Sequence, residues 1–179
     1  MTGRQSKRTK GYGARGFSLL EMIFASAILL VGILSVVQLV PATLQLNLRN
    51  RLDTIATVIA QRELDQMLIQ PLSATNFIDN DGNNVSLDGT GSTGAPVAMV
   101  GPTAVIDFSA DKSAVPAGFL IDGYQDPNDP SGARFELRWA VIPLVSNGVV
   151  VSKRIIIGCR QANANEPMLP ISLEGSVQR

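Results

Sequence analysis

A carboxylate stands at the mouth of the longest uncharged run in the chain. Glu21 is followed by 27 residues, Met22 to Leu48, without a single charge. Holding a carboxylate within a membrane segment is expensive, so such residues usually have a partner and a task. The bland alternative is a hydrated carboxylate at the membrane interface. Asp79, Asp81 and Asn83 have the alternating oxygen spacing that Ca²⁺ loops use. The EF-hand pattern breaks, however, because Asn84 holds the required Gly position and Thr90 the terminal Glu position. This segment therefore reads as a solvated turn, as do Asp122, Asp126 and Asp129. Cys159 closes an apolar segment and reads as a buried, inert thiol. Trp139 reads as core. The chain has no His and one Cys. That excludes Ser-His-Asp and Cys-His catalysis, His-ligated metals, an intrachain disulfide and Cys-based zinc or iron–sulfur sites. No spacing singles out an acid–base pair, and no Gly-rich phosphate loop with Lys is present. We therefore assign no catalytic residue, metal or cofactor, and expect no enzyme. Aromatic residues are 5% of the chain, which argues against a base-stacking platform, and no nucleic-acid partner is expected.

The elements that position Glu21 follow from charge and hydropathy. The 179 residues carry 15 basic and 15 acidic side chains, but the signs are segregated. Residues 1–16 hold Arg4, Lys7, Arg8, Lys10 and Arg15 and no acid, leaving ten basic and fifteen acidic residues beyond. Met22–Val40 is long enough for the roughly 20 residues that cross a bilayer. The basic flank places the N-terminus in the cytoplasm and residues beyond about 45 outside. The core is too long for a cleaved secretory signal, and Val40-Pro41-Ala42 is a poor cleavage site. A lipoprotein signal would need a Cys just after the core, and Cys159 is far away. An uncleaved signal anchor stays open on these grounds.

The local order around Glu21 is more specific. Arg15-Gly16 is followed by Phe17-Ser18-Leu19-Leu20-Glu21. With basic residues before it and an uncharged helix after it, this junction closely resembles the class III signal of type IV prepilins and type II secretion pseudopilins. The resemblance spans about residues 10–45. It implies that a prepilin peptidase cuts between Gly16 and Phe17 and that Phe17 becomes the methylated N-terminus. Glu21 falls on the family's near-invariant glutamate, which is thought to neutralise that new amine on a neighbouring subunit during assembly. The resemblance also implies the fold class. It is α+β, a pilin-like lollipop whose long N-terminal helix has a membrane-spanning half and an amphipathic half packed on a small C-terminal antiparallel sheet.

The pattern beyond the membrane agrees with a continuing helix. Leu44, Leu48, Leu52, Ile55, Ile59, Leu64, Met67 and Leu68 keep a near-3.6 period, while Asn47, Arg51, Asp53, Arg62 and Asp65 form the other face. Glu63 and Gln66 add polar surface. Pro71 is the expected stop. From Phe17 to Ile69 such a helix is roughly 80 Å long, with a kink expected at Pro41. The expected segments are a basic leader (1–16), the transmembrane and assembly half (17–41), the amphipathic half (42–70) and an external globular β domain (71–179) with a variable Gly-rich loop (73–103). Strands are expected at Asn84–Leu87, Val97–Val100, Ala104–Phe108 and Gly118–Ile121, with an acidic turn cluster at Asp122–Gly132. Phe135, Leu137, Trp139 and Val141 alternate with Glu136, Arg138 and Ala140 as a half-buried strand. Asn147-Gly148 signals a hairpin into a return strand, Val149–Cys159. That hairpin looks like the C-terminal hairpin of minor pilins and of one minor pseudopilin. Residues 161–179, with Pro167 and Pro170, read as a mobile tail.

These readings converge on a minor pilin or pseudopilin, a structural subunit that initiates or modifies a type IV pilus. A minor pseudopilin of a type II secretion system is the alternative within the class. Glu21 argues against the tip pseudopilin, which typically lacks this glutamate. A different class, an uncleaved signal-anchored external binding protein, would keep its leader. The resemblance implies prepilin peptidase, other pilin or pseudopilin subunits, an inner-membrane assembly platform and, before assembly, membrane lipid as partners. It implies a bacterial inner-membrane location, single-pass with the C-terminal domain outside, followed by the filament.

Overall fold

The computed structural model describes residues 16–90, 93–127, 129, 132–162 and 170–178. The basic residues from Arg4 to Arg15, expected to form a leader, lie outside them. Helix α1 runs from Leu19 to Ile69 and has Pro41 within it without ending there. It stops two residues before Pro71, as expected. Eight strands follow: β1 (Asn76–Ile78), β2 (Asn84–Ser86), β3 (Val97–Val100), β4 (Thr103–Ile106), β5 (Leu120–Gln125), β6 (Arg134–Ser146), β7 (Val149–Gln161) and β8 (Ile171–Gln178). Strands β1–β2 and β3–β4 are two separate hairpins, and β5-β6-β7-β8 form one antiparallel sheet in that order. The chain divides into two compact units, Met1–Gln45 and Leu46–Arg179.

Within the first unit α1 is a helix with apolar side chains on every side. Leu20, Phe24, Ile28, Leu34 and Val37 are all more than half exposed. Its hydroxyls turn inward to the backbone. Ser26 Oγ donates to Met22 O, Ser35 Oγ to Val31 O and Thr43 Oγ1 to Leu39 O, at 2.8–2.9 Å. Satisfying polar groups within the helix is what a hydrocarbon surrounding demands. By length and composition this helix can span a membrane.

Within the second unit α1 becomes one-sided. Ala56, Ile59, Ala60, Glu63, Leu64 and Met67 are buried at helical spacing, flanked by half-buried Leu52, Ile55 and Leu68. The stripe begins at Leu52, since Leu44 and Leu48 are exposed. Glu63, expected on the polar surface, is instead 1% exposed within the stripe. Gly175 of β8 lets the helix approach the sheet: a Cβ there would lie 2.8 Å from Leu68 Cδ1 and 3.4 Å from Leu64 Cδ1.

The sheet is covered on its other face too. A Cβ on Gly158 would meet the Phe108 ring at 2.7 Å and Ile106 Cβ at 2.9 Å. Gly158 and Ile155, the partner of Gly175, are three apart on β7 and so point to opposite faces. The β3–β4 side thus lies over the face away from the helix. This corrects the half-buried reading of β6, because Phe135 to Val141 are all buried. The β6–β7 hairpin turns at Asn147-Gly148, with φ of 52° and 77°, the double left-handed conformation a two-residue turn needs. Two further expectations fail. Asp122–Gln125 belongs to β5 rather than to an acidic turn, and the residues read as a mobile tail include β8, paired with β7 from Ser152 to Cys159.

Candidate functional site

Gly16, Phe17 and Glu21 lie at and just before the start of α1, brought together by local sequence alone. Gly16 is exposed, with no atom within 4 Å of where a Cβ would stand. Phe17 is 78% exposed. Ser18 caps the helix: its carbonyl accepts from Met22 N at 3.2 Å and its Oγ from Glu21 N at 3.2 Å. Ser18-Leu19-Leu20-Glu21 thus has the residue order of a capping box, a signal the sequence reading missed. Glu21 stands in the first turn, where a negative charge offsets the helix dipole.

The other candidates sit in the globular unit. Asp122, Asp126 and Asp129 do not converge. Asp122 pairs with Lys112 at 2.6 Å, while buried Asp129 receives Arg51 of α1 at 2.5 Å. Cys159 is fully buried, and burial pushes its thiol up to about 12. Trp139 is buried against Phe119 and donates its indole N–H to Ser86 O at 2.9 Å. The turn at 79–83 closes the β1–β2 hairpin and is not simply solvated, because Asp79 is 5% exposed. Asp79 Oδ1 accepts from Asp81 N and Asn83 N at 2.9 and 2.7 Å, and its Oδ2 from Asn83 Nδ2 at 2.7 Å. Among the described residues, one group of three acidic side chains draws close enough to share a cation: Glu63, Asp79 and Asp81.

A buried polar cluster went unseen in the sequence. Glu136 of β6 accepts from Arg138 Nε at 2.6 Å and from Arg160 Nη2 of β7 at 2.8 Å, and Glu136 and Arg138 are almost fully buried. Arg138 Nη1 donates to Ala110 O and Arg160 Nη1 to Phe108 O, and both guanidinium groups stand over the Phe108 ring. All its strong contacts are internal, so it reads as a fastener between the sheet and the 107–110 segment. A cleft of about 420 Å³ between Leu72, Asp88, Gly89, Pro143, Val149 and Lys153 holds a buried lysine. Lys153 Nζ donates to Ala74 O at 2.6 Å, and burial lowers its pKa. Asp88 in the same cleft accepts from Thr90 N and Thr90 Oγ1 through Oδ1, and its charge acts on Lys153 across the cleft.

No family model, curated protein or solved structure matches this chain. What the fold defines is an α+β protein with a long, apolar N-terminal helix, whose distal half packs on a four-stranded antiparallel sheet.

Proposed function

We propose that the chain is a minor pilin or pseudopilin, processed by a prepilin peptidase and built into a type IV pilus whose assembly it initiates or modifies. One observation carries the reading: Gly16-Phe17-Ser18-Leu19-Leu20-Glu21 stands between five basic residues and an uncharged segment whose apolar side chains all face outward. The junction is the resemblance to prepilins described above. The outward-facing segment adds a physical reason for it. Those side chains gain by leaving water, first in lipid and then in a bundle of like helices.

In this reading the basic leader stays in the cytoplasm, and cleavage after Gly16 frees an ammonium on Phe17 in an apolar setting. An unpaired charge there is costly, whereas an opposite charge at low dielectric is strongly attractive. Glu21 of an adjacent subunit supplies it and so selects the correct axial register. The globular unit would then display its hairpins on the filament surface.

The first test is the intact mass, with N-terminal fragmentation, of protein extracted from the membranes of its native host. A chain beginning at methylated Phe17 is expected. A chain beginning near Met1 would overturn the proposal and leave a signal-anchored binding protein. The second test separates the two roles of Glu21. Glu21→Gln keeps a side chain able to complete the cap but removes the charge. It should be cleaved normally and fail to enter filaments, as should Glu21→Ala. Assembly of Glu21→Gln at the wild-type level would reduce Glu21 to a helix-capping residue.

A further inference from the structure

Glu63 lies on the buried stripe of α1, 1% exposed, and only one of its two oxygens is served. Oε1 accepts from Arg62 Nη2 at 3.1 Å and from Gln66 Nε2 at 3.2 Å. Oε2 is buried and has no hydrogen-bond partner. An orphaned carboxylate oxygen is among the costlier things to bury. It does not stand alone. One oxygen from each of Glu63, Asp79 and Asp81 lies within 4.8 Å of the other two. Oxygens that near to one another can be drawn onto one shared ion, and Ca²⁺ keeps 2.3–2.6 Å from each oxygen it binds.

The surrounding hydrogen bonds hold this arrangement ready. The Asp79 side chain is fixed by the turn it caps. The turn is moored to the helix by Asn80 N, which donates to Gln66 Oε1 at 2.9 Å. Arg62, stacked over Tyr124 at 5.2 Å, bridges Glu63 Oε1 and Asp81. One guanidinium thus faces three carboxylates, a deficit of two positive charges. Arg62 has 39% of its side chain exposed and can give way without being stranded.

We propose that Glu63, Asp79 and Asp81 bind a Ca²⁺ ion that ties the β1–β2 turn to α1. Three oxygens with no nitrogen or sulfur among them select a hard cation. Mg²⁺ demands near-ideal octahedral geometry and keeps most of its water, which a dry Glu63 oxygen and a hairpin turn do not suit. The site is independent of the filament reading, since it lies wholly in the globular unit.

The test is thermal unfolding of the full-length chain in detergent, in EDTA and then across a CaCl₂ series. At about a hundredfold excess over the Kd, Tm should rise by roughly 5–10 °C. The same MgCl₂ series should give a smaller rise. Glu63→Gln, which keeps size and hydrogen bonding, should fold and lose the Ca²⁺ response, as should Asp81→Asn. Asp65→Asn, an exposed carboxylate of the same helix outside the group, should keep it. A Tm indifferent to Ca²⁺ up to 10 mM would overturn the site. So would a full response in folded Glu63→Gln, a loss of response in Asp65→Asn, or a response to Mg²⁺ alone.

Discussion

Cys159 shows how far burial can silence a reactive group. Its thiol lies on the helix-facing side of β7, fully enclosed, and burial pushes it from 9.0 to about 12. The sign of the linkage follows. Below pH 9 the thiol is protonated whether the chain is folded or not, and its contribution to stability is complete. Between pH 9 and 12 the unfolded chain ionises first, so that contribution is lost as pH rises. Wild type should therefore lose about 1 kcal/mol relative to Cys159→Ala between pH 8 and pH 10. The difference between their urea midpoints at the two pH values measures it, and a constant difference would refute the shift. The inert thiol was legible in the sequence, because Cys159 closes an apolar segment and free Cys is often buried. Glu63 was not, because residue type argued for the surface while spacing argued for the core. Positions 56, 59, 60, 63, 64 and 67 make an unbroken helical stripe, and the geometry outweighed the charge.

Strand β6 carries the larger lesson at the scale of elements. Its alternation gave a strand correctly, but alternation implies one wet face only when nothing covers that face. Here the polar positions Glu136 and Arg138 pair with each other beneath the β3–β4 side of the unit, a long-range arrangement that no local pattern encodes. The two close approaches to the sheet differ in what blocks a side chain. At Gly158 a Cβ would meet the Phe108 ring and the Cβ and Cγ1 of Ile106, all close to 3 Å or less, in a packed layer. At Gly175 it would meet the tips of Leu68 and Leu64, and Leu68 is only partly buried. Gly158→Ala should cost about 1–3 kcal/mol as overpacking. Gly175→Ala should cost under about 1 kcal/mol, since the leucine can turn aside and the unfolded chain loses freedom. Urea unfolding of both variants gives the order, and a larger loss at Gly175 would mean that the helix holds the sheet more rigidly than the β3–β4 side does.

At the scale of the whole molecule, one helix changes character along its length. From Leu19 to Leu48 its large apolar residues are exposed in every direction, whereas from Leu52 onward most of them lie on one covered side, with Val58 and Ile69 left exposed. The change falls close to the boundary between the two units, at Gln45 and Leu46. Apolar surface on that scale does not persist in water. The globular unit by contrast encloses a continuous core running from Ala56 to Cys159. A fragment of residues 46–179 should therefore be soluble without detergent and unfold in one cooperative transition, while the full chain partitions into membranes or detergent. Sedimentation and far-UV circular dichroism on the two proteins decide this. Aggregation of the fragment would mean that the residues before Leu46 complete its core. A soluble fragment would place the solubility switch within α1 itself. The change from all-round to one-sided hydrophobicity would then divide the residues that need lipid or like helices from those that fold in water.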